Sequence, residues 1–277
     1  MKRLVGALVA LAISPAVAWA ADMAVKAPRI VPPAPVYDWT GGYVGLNAGW
    51  DWSRENVDTA FSCPVGVCSV NNATNILNII AGSSGRLSAD GFTGGGTAGY
   101  NWQTGGAVLG VETDFDYFRL RGSRAASIPS ATTTSIFNPS TSLSTDWLFT
   151  LRGRAGWAVV PTFLLYATGG LAVTEARLAN AYTTTNNPAN LGAGTSSNSQ
   201  TRAGWTVGGG LEWMLAHNWS VKAEYLYADF GSISNTTLVI DPFSPNANIF
   251  TTSIPLRVNI ARAGINYHFG GPVVAKY

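Results

Sequence analysis

Charge is the scarcest commodity in this chain. Asp, Glu, Lys and Arg supply 12% of its 277 residues, roughly half the share of an ordinary soluble domain. Net charge is scarce too. Residues 1–20 hold Lys2 and Arg3 and no acid, so beyond them 15 basic residues face 15 acidic ones. No basic cluster is left to meet a polyanion, which excludes nucleic acid as a partner. Long apolar runs are also missing. After residue 20 nothing approaches the ~20 consecutive apolar residues of a membrane helix. A greasy chain without such helices has the composition of a transmembrane β-barrel.

Lys2 and Arg3 precede the apolar run Leu4–Ile13, then Pro15 and the small-residue stretch Ala18-Trp19-Ala20. This is a secretory signal with cleavage expected after Ala20. Residues 21–38 carry Pro28, Pro32, Pro33 and Pro35 without periodicity and read as a Pro-rich periplasmic linker.

From Trp39 to Phe269 short segments alternate with a period of two, as β-strands do. The clearest is Ala107–Tyr117, where Leu109, Val111, Phe115 and Tyr117 alternate with Gly110, Glu112, Asp114 and Asp116. Seven others repeat the pattern: Val44, Leu46, Trp50 and Trp52; Phe92, Ala98, Tyr100 and Trp102; Trp147, Phe149, Leu151 and Trp157; Phe163, Leu165, Leu171 and Val173; Trp205, Val207, Leu211 and Trp213; Trp219, Val221, Tyr225 and Tyr227; Ala261, Ile265, Tyr267 and Phe269. Residues 256–259 look out of phase with the last, which suggests a bulge or a start of the strand outside the membrane. Connections alternate between a few residues (Thr104-Gly105-Gly106, Val160-Pro161, His217-Asn218) and long Ser/Thr/Asn-rich stretches near 53–91, 118–146, 175–200 and 229–255. The expected fold is all-β: an eight-stranded antiparallel up-and-down transmembrane β-barrel with short periplasmic turns and long extracellular loops.

Which phase meets lipid is decided by three observations. Eight of ten Trp lie in the apolar phase, near strand ends, as two interfacial girdles. The opposite phase is crowded with Gly, which gives room to large neighbours in a narrow lumen. Its charges also balance: Glu112, Asp114, Asp116, Glu212 and Glu224 against Arg152, Arg154, Arg202, Lys222 and Arg262. Eight strands leave an interior that side chains can fill. The expectation is a plug of ion pairs, the alternative a water-threaded polar track passing small ions.

The chain resembles the small alphaproteobacterial outer-membrane immunogenic proteins, barrels related to the OmpA and opacity-protein families. The resemblance rests on Asp38-Trp39-Thr40-Gly41-Gly42-Tyr43-Val44-Gly45, Leu165-Tyr166-Ala167-Thr168-Gly169-Gly170-Leu171-Ala172, Gly208-Gly209-Gly210-Leu211-Glu212, Lys222-Ala223-Glu224-Tyr225-Leu226-Tyr227 and Arg262-Ala263-Gly264-Ile265-Asn266-Tyr267-His268-Phe269. It implies insertion into the outer membrane by the barrel-assembly machinery, with Phe269 as the aromatic of the insertion signal. It also implies roles in envelope integrity and exposure to a host. The tail 270–277 departs from the pattern and leaves Tyr277 as the other candidate aromatic.

Remaining site-like signals are few. Gly94, Gly96 and Gly99 spell G-x-G-x-x-G without the strand–helix context of a dinucleotide loop. Cys63 and Cys68 in an exported chain are expected to form a disulfide, the alternative being two free thiols; without a nearby His they make no metal site. No long loop pairs a His with a Ser, which argues against acyl-transfer chemistry; neither an enzyme nor a cofactor is expected, nor a greasy cavity for an apolar ligand. Arg119, Arg121 and Arg124 either touch lipopolysaccharide phosphates or are solvated rim charges. The loops name no host ligand.

Overall fold

The computed structural model describes residues 37–63, 73–186, 190–216, 218–240 and 247–269. The signal with its Ala20 cleavage site, the linker up to residue 36, His217 and the tail 270–277 lie outside the described residues. Eight long strands close a ring in which every neighbour is antiparallel: β1 (Gly41–Ser62), β2 (Gly85–Thr104), β3 (Ala107–Phe118), β6 (Ile136–Val160), β7 (Phe163–Asn186), β8 (Asn190–Ala216), β9 (Trp219–Ile240) and β10 (Ala247–His268), with β10 returning to β1. Two short strands, β4 (Arg121–Ala125) and β5 (Ile128–Pro129), and one helix, α1 (Ala73–Ser83), fill the connections. β4 takes over the slot of β3, pairing with β2 and β6 beyond its end.

The outward phase is the apolar one. Leu46 is 67% exposed and Trp157 60%, and Trp50, Phe92, Trp102, Phe115, Trp205, Trp213 and Trp219 are exposed with them. These side chains have nothing to pack on but lipid, and a soluble barrel would hide them. At the turn end, Gly105 takes φ 60°, the positive value that the first central position of a two-residue hairpin turn requires.

The long connections correct the sequence reading. They are mostly strand, not structureless loop. β1 runs for 22 residues, β6 for 25 and β8 for 27, whereas about 9–11 residues cross a membrane. The barrel wall therefore continues well past the outer aromatic ring. In that extension the outward residues of β1 become Arg54, Asn56 and Asp58, while inward Val57 is fully buried. The phase stays fixed and the polarity of its two faces inverts.

Residues 256–259 belong to the extension, and the expected bulge is there as a register slip. Leu256, Val258 and Ile260 point inward in the phase of Arg262 and are buried. The irregularity sits across from them: the β9–β10 register slips between Pro255 and Arg257, next to Gly231 of β9 at φ 75°. A positive-φ glycine at a bulge fits that slip. A second slip, Thr145/Leu148 on β6, moves its inward phase from odd to even numbers.

Candidate functional site

The interior is filled in layers. At the turn end Trp39 is fully buried and packs with Val108, Leu164, Tyr166 and Met214, flanked by Tyr37 and Ala158. Its backbone N–H donates to Gln103 Oε1 at 2.7 Å and its indole N–H to the Pro161 carbonyl at 3.1 Å. Residues 37 and 38, assigned to the linker by composition, thus enter the barrel mouth with it. Trp39 was missed as a plug because one aromatic beside a proline-rich stretch has no periodic partner.

Above it lies the charge network. Strand register places Glu112 of β3 beside Arg152 of β6 and Glu212 of β8 beside Lys222 of β9. Arg152, 1% exposed, pairs with Glu112, with Asp114 at 2.6 Å and with Glu224 at 2.9 Å. Arg262 crosses the lumen to Asp114 at 3.0 Å and Asp116 at 2.9 Å and pairs with Glu224, its register partner on β9, at 2.7 Å. Arg154 pairs with Glu212 and lays its guanidinium 3.7 Å from the centre of the Tyr166 ring, a cation–π contact. Lys222 reaches past its register partner to Glu112 at 3.0 Å.

Neutral groups complete the shell. Tyr43 donates to Glu112 at 2.7 Å, Thr150 to Asp114 at 2.7 Å, Asn266 to Glu212 at 2.7 Å and Asn47 to Asp116 at 3.0 Å. His268 Nε2 stands 3.2 Å from Glu212 and 3.0 Å from the Ser220 hydroxyl. Sequence reasoning passed over these neutral groups, although most share the inward phase. Several inward glycines make the crowding feasible: a Cβ on Gly99 would lie 2.5 Å from the Tyr43 ring, and one on Gly210 2.7 Å from the Tyr166 hydroxyl.

One expected member is absent. Arg202 lies higher on β8, opposite Thr174, and its guanidinium donates to Gln200 at 2.5 Å. Its phase is right and its height is wrong. The network therefore holds five carboxylates and four cations, not five of each, with His268 beside Glu212. Charges sealed from water cost several kcal/mol each unless paired and hydrogen-bonded, and this shell supplies both.

The layer above the charges is mainly apolar, with Asp51, Thr93 and Thr174 buried at its edge. Leu148, Leu226, Ile260, Val258, Leu256, Leu87, Phe118, Leu120, Leu143, Leu178, Phe230, Ile233 and Ile254 form one buried cluster. Farther out, Phe137, Tyr182, Val239 and Phe250 join Ile128 and Ile79 of α1; Tyr182 and Phe250 stack at 4.8 Å. An interior polar throughout was the premise for expecting nothing greasy inside, and the extension overturns that premise. The greasy space is filled by the protein's own side chains. Arg124 does not join a lipid-facing row either. It donates to the carbonyls of Gly82 and Ser83 at 2.9 and 3.1 Å, capping the C-terminus of α1.

Gly94, Gly96 and Gly99 are strand residues of β2. Phe269 is exposed at the turn-end girdle, its N–H bonded to the Gly42 carbonyl at 2.9 Å and its ring against Tyr267. Cys63, at the end of β1, is not a free thiol; Cys68 lies outside the described residues. Among the described residues no cluster of His, Cys, Asp and Glu could hold a metal ion.

The family described as outer membrane protein beta-barrel domain matches residues 7–269. The 31 kDa outer-membrane immunogenic protein of Brucella melitensis is 35% identical, covering 91% of this chain and 93% of its own length. The 25 kDa outer-membrane immunogenic protein of Brucella abortus is 28% identical over 84% of this chain and 86% of its own. A 22 kDa outer membrane protein of Rhizobium leguminosarum is 33% identical over 51% of this chain and 54% of its own. Among solved structures, the Escherichia coli outer membrane protease OmpT is 9% identical with a TM-score of 0.40, covering 86% of this chain and all of that one. Neisserial surface protein A is 15% identical with a TM-score of 0.33, covering 83% of this chain and 98% of that one. The chain belongs to the outer membrane protein beta-barrel family, and its place is the cell outer membrane.

Proposed function

We propose that the protein is a sealed, non-enzymatic barrel that stabilises the outer membrane and holds a rigid surface structure above it. The observation that carries this reading is the unbroken stack of buried side chains, from Trp39 through the Arg152–Arg262 network to Phe250. A lumen filled in this way offers no path to ions and no free nucleophile to a substrate. Surface exposure fits the printed names of the Brucella relatives, which are immunogenic proteins. The partners that follow are outer-membrane lipid and lipopolysaccharide, the barrel-assembly machinery during insertion with Phe269 as its aromatic signal, and a host surface ligand at the outer tip. Pairing of Cys63 with Cys68 would pin the end of β1. Planar-bilayer recording of the refolded protein, with heat-modifiable gel migration to verify folding, tests the sealed reading. Folded protein without steady channels is the expected result; steady conductance from the folded form contradicts it and supports the narrow channel.

A further inference from the structure

Just beyond the outer aromatic ring the outward surface is unevenly charged. Register sets Trp52 of β1 beside Asp90 of β2, Asp90 beside Arg121 of β4, and Arg54 beside Ser88. Arg86 follows two positions farther along β2, opposite Asn56. Arg119 N–H donates to the Phe92 carbonyl at 3.2 Å, which holds that residue level with the ring itself. All four arginines are exposed; Asp90 lies among them, Asp146 borders them on β6, and Asp58 stands two outward positions past Arg54. The arginine next round the ring, Arg257 on β10, is already engaged with Asp229 at 3.3 Å and Glu55 at 3.8 Å. On the flank beyond β4, whose ladder with β6 sets Arg121 opposite Ser144, β6 presents Asp146 level with Arg119 and β7 presents Glu175 and Arg177, so the β1–β2–β4 sector keeps four arginines against Asp90 and the bordering Asp146.

We propose that Arg54, Arg86, Arg119 and Arg121 form a binding patch for the phosphate groups of an outer-leaflet glycolipid of the lipid A class. This deepens the surface reading above and rests on its membrane orientation. Height selects the ligand. Successive outward residues climb roughly 7 Å along a strand, so the four guanidiniums begin at the ring that marks the hydrocarbon boundary and end about two steps above it. Phosphates of a lipid whose acyl chains lie against Trp50, Trp52 and Phe92 stand in that band. A soluble polyanion would instead meet the outer tip. Guanidinium forks match phosphate oxygens in bidentate fashion, and paired strands hold them with little ordering cost on binding. The patch also revises the sequence expectation: Arg124 drops out as the cap of α1, while Arg54 and Arg86, far from Arg121 in the chain, join through strand register.

The test uses the refolded full barrel in detergent and native mass spectrometry of retained lipid. Bisphosphorylated lipid A is compared with fully dephosphorylated lipid A on the wild type, which needs no mutation. The variant Arg54→Gln/Arg86→Gln/Arg121→Gln is then compared with Arg177→Gln, an exposed arginine outside the patch, two strands from Arg121 with Ser144 between them. Expected are retention of the phosphorylated lipid about 10-fold or more above the dephosphorylated one, loss of that preference in the triple variant, and wild-type behaviour in Arg177→Gln. Added salt should erode the preference. Equal retention of the two lipids by the wild type overturns the proposal, as does an unchanged preference in a triple variant that still shows heat-modifiable migration. Bilayer conductance would overturn the sealed lumen without touching this result, so the two readings fail separately.

Discussion

Between the turn-end Trp39 layer and the outer aromatic ring the barrel is polar inside and apolar outside; above the ring the same strands are mainly apolar inside and polar outside. On β1 the inward phase passes from Tyr43, Asn47 and Asp51 to Val57 and Phe61, while the outward phase passes from Leu46 and Trp50 to Arg54 and Asp58. Along this strand the inward phase does not change. Only the solvent outside does, and the sequence follows it. In lipid the outward face supplies the apolar contact and the interior must neutralise itself with ion pairs. In water the hydrophobic effect pulls the apolar phase inward, as in any soluble barrel. The two regions are held by different forces, and each fails under a different substitution.

The largest effect is expected in the lower region. Arg152→Ala strands Glu112, Asp114 and Glu224 without their shared cation and should cost about 3–5 kcal/mol, read as a lowered urea midpoint in lipid vesicles. Arg202→Ala, outside the network, should shift it by under about 0.5 kcal/mol. In the upper region Leu178→Ala or Leu256→Ala should cost about 2–5 kcal/mol. That loss should appear as protease cleavage of the extension while the membrane belt keeps its heat-modifiable migration. Equal cleavage of wild type and variant would mean the upper core is not packed.

Outward charges sharpen the contrast further. Leu46→Arg faces hydrocarbon and should destabilise by about 2–4 kcal/mol, whereas Ser142→Arg on the wall of the extension should stay within about 0.5 kcal/mol. Matching costs for the two would erase the boundary between the regions. The smallest effect concerns Glu55, above the ring. Burial raises its carboxyl above the usual carboxylate range, against the opposing pull of Arg257. A raised acid favours its protonated form in the folded state, so its ionised form subtracts stability at neutral pH. That cost is relieved as pH falls through its folded pKa. Glu55→Gln should therefore gain under about 0.5 kcal/mol at neutral pH and nothing in acid, measured by paired urea titrations.

Much of the lower region was legible in the sequence. Strand phase, both girdles and nine of the ten network charges follow from period-two alternation, because lipid on one side and a closed lumen on the other leave each position a single choice. Arg202 was misplaced because phase specifies a face and says nothing of height. The extension was harder to see. Its alternation persists in Val57, Thr59 and Phe61 and in Ile254, Leu256 and Val258, but the apolar set occupies the phase that carries charges below. A search for lipid-facing residues therefore reads those stretches as loop. The slips at Thr145/Leu148 and beside Gly231 break the pattern further. Contacts between distant segments, such as Trp39 with Pro161 or Arg124 with α1, leave no local trace.

The inversion at the ring can be measured directly by spin labels placed singly from Val44 to Ser62 on β1 in lipid vesicles. The expected record has even positions open to oxygen from lipid up to residue 52, then open to a water-soluble nickel relaxant from 54 onward. Odd positions should stay shielded from both throughout. Odd positions above 52 that admit the nickel reagent as freely as even ones would mean a loose loop in place of a walled core, and would contradict the account.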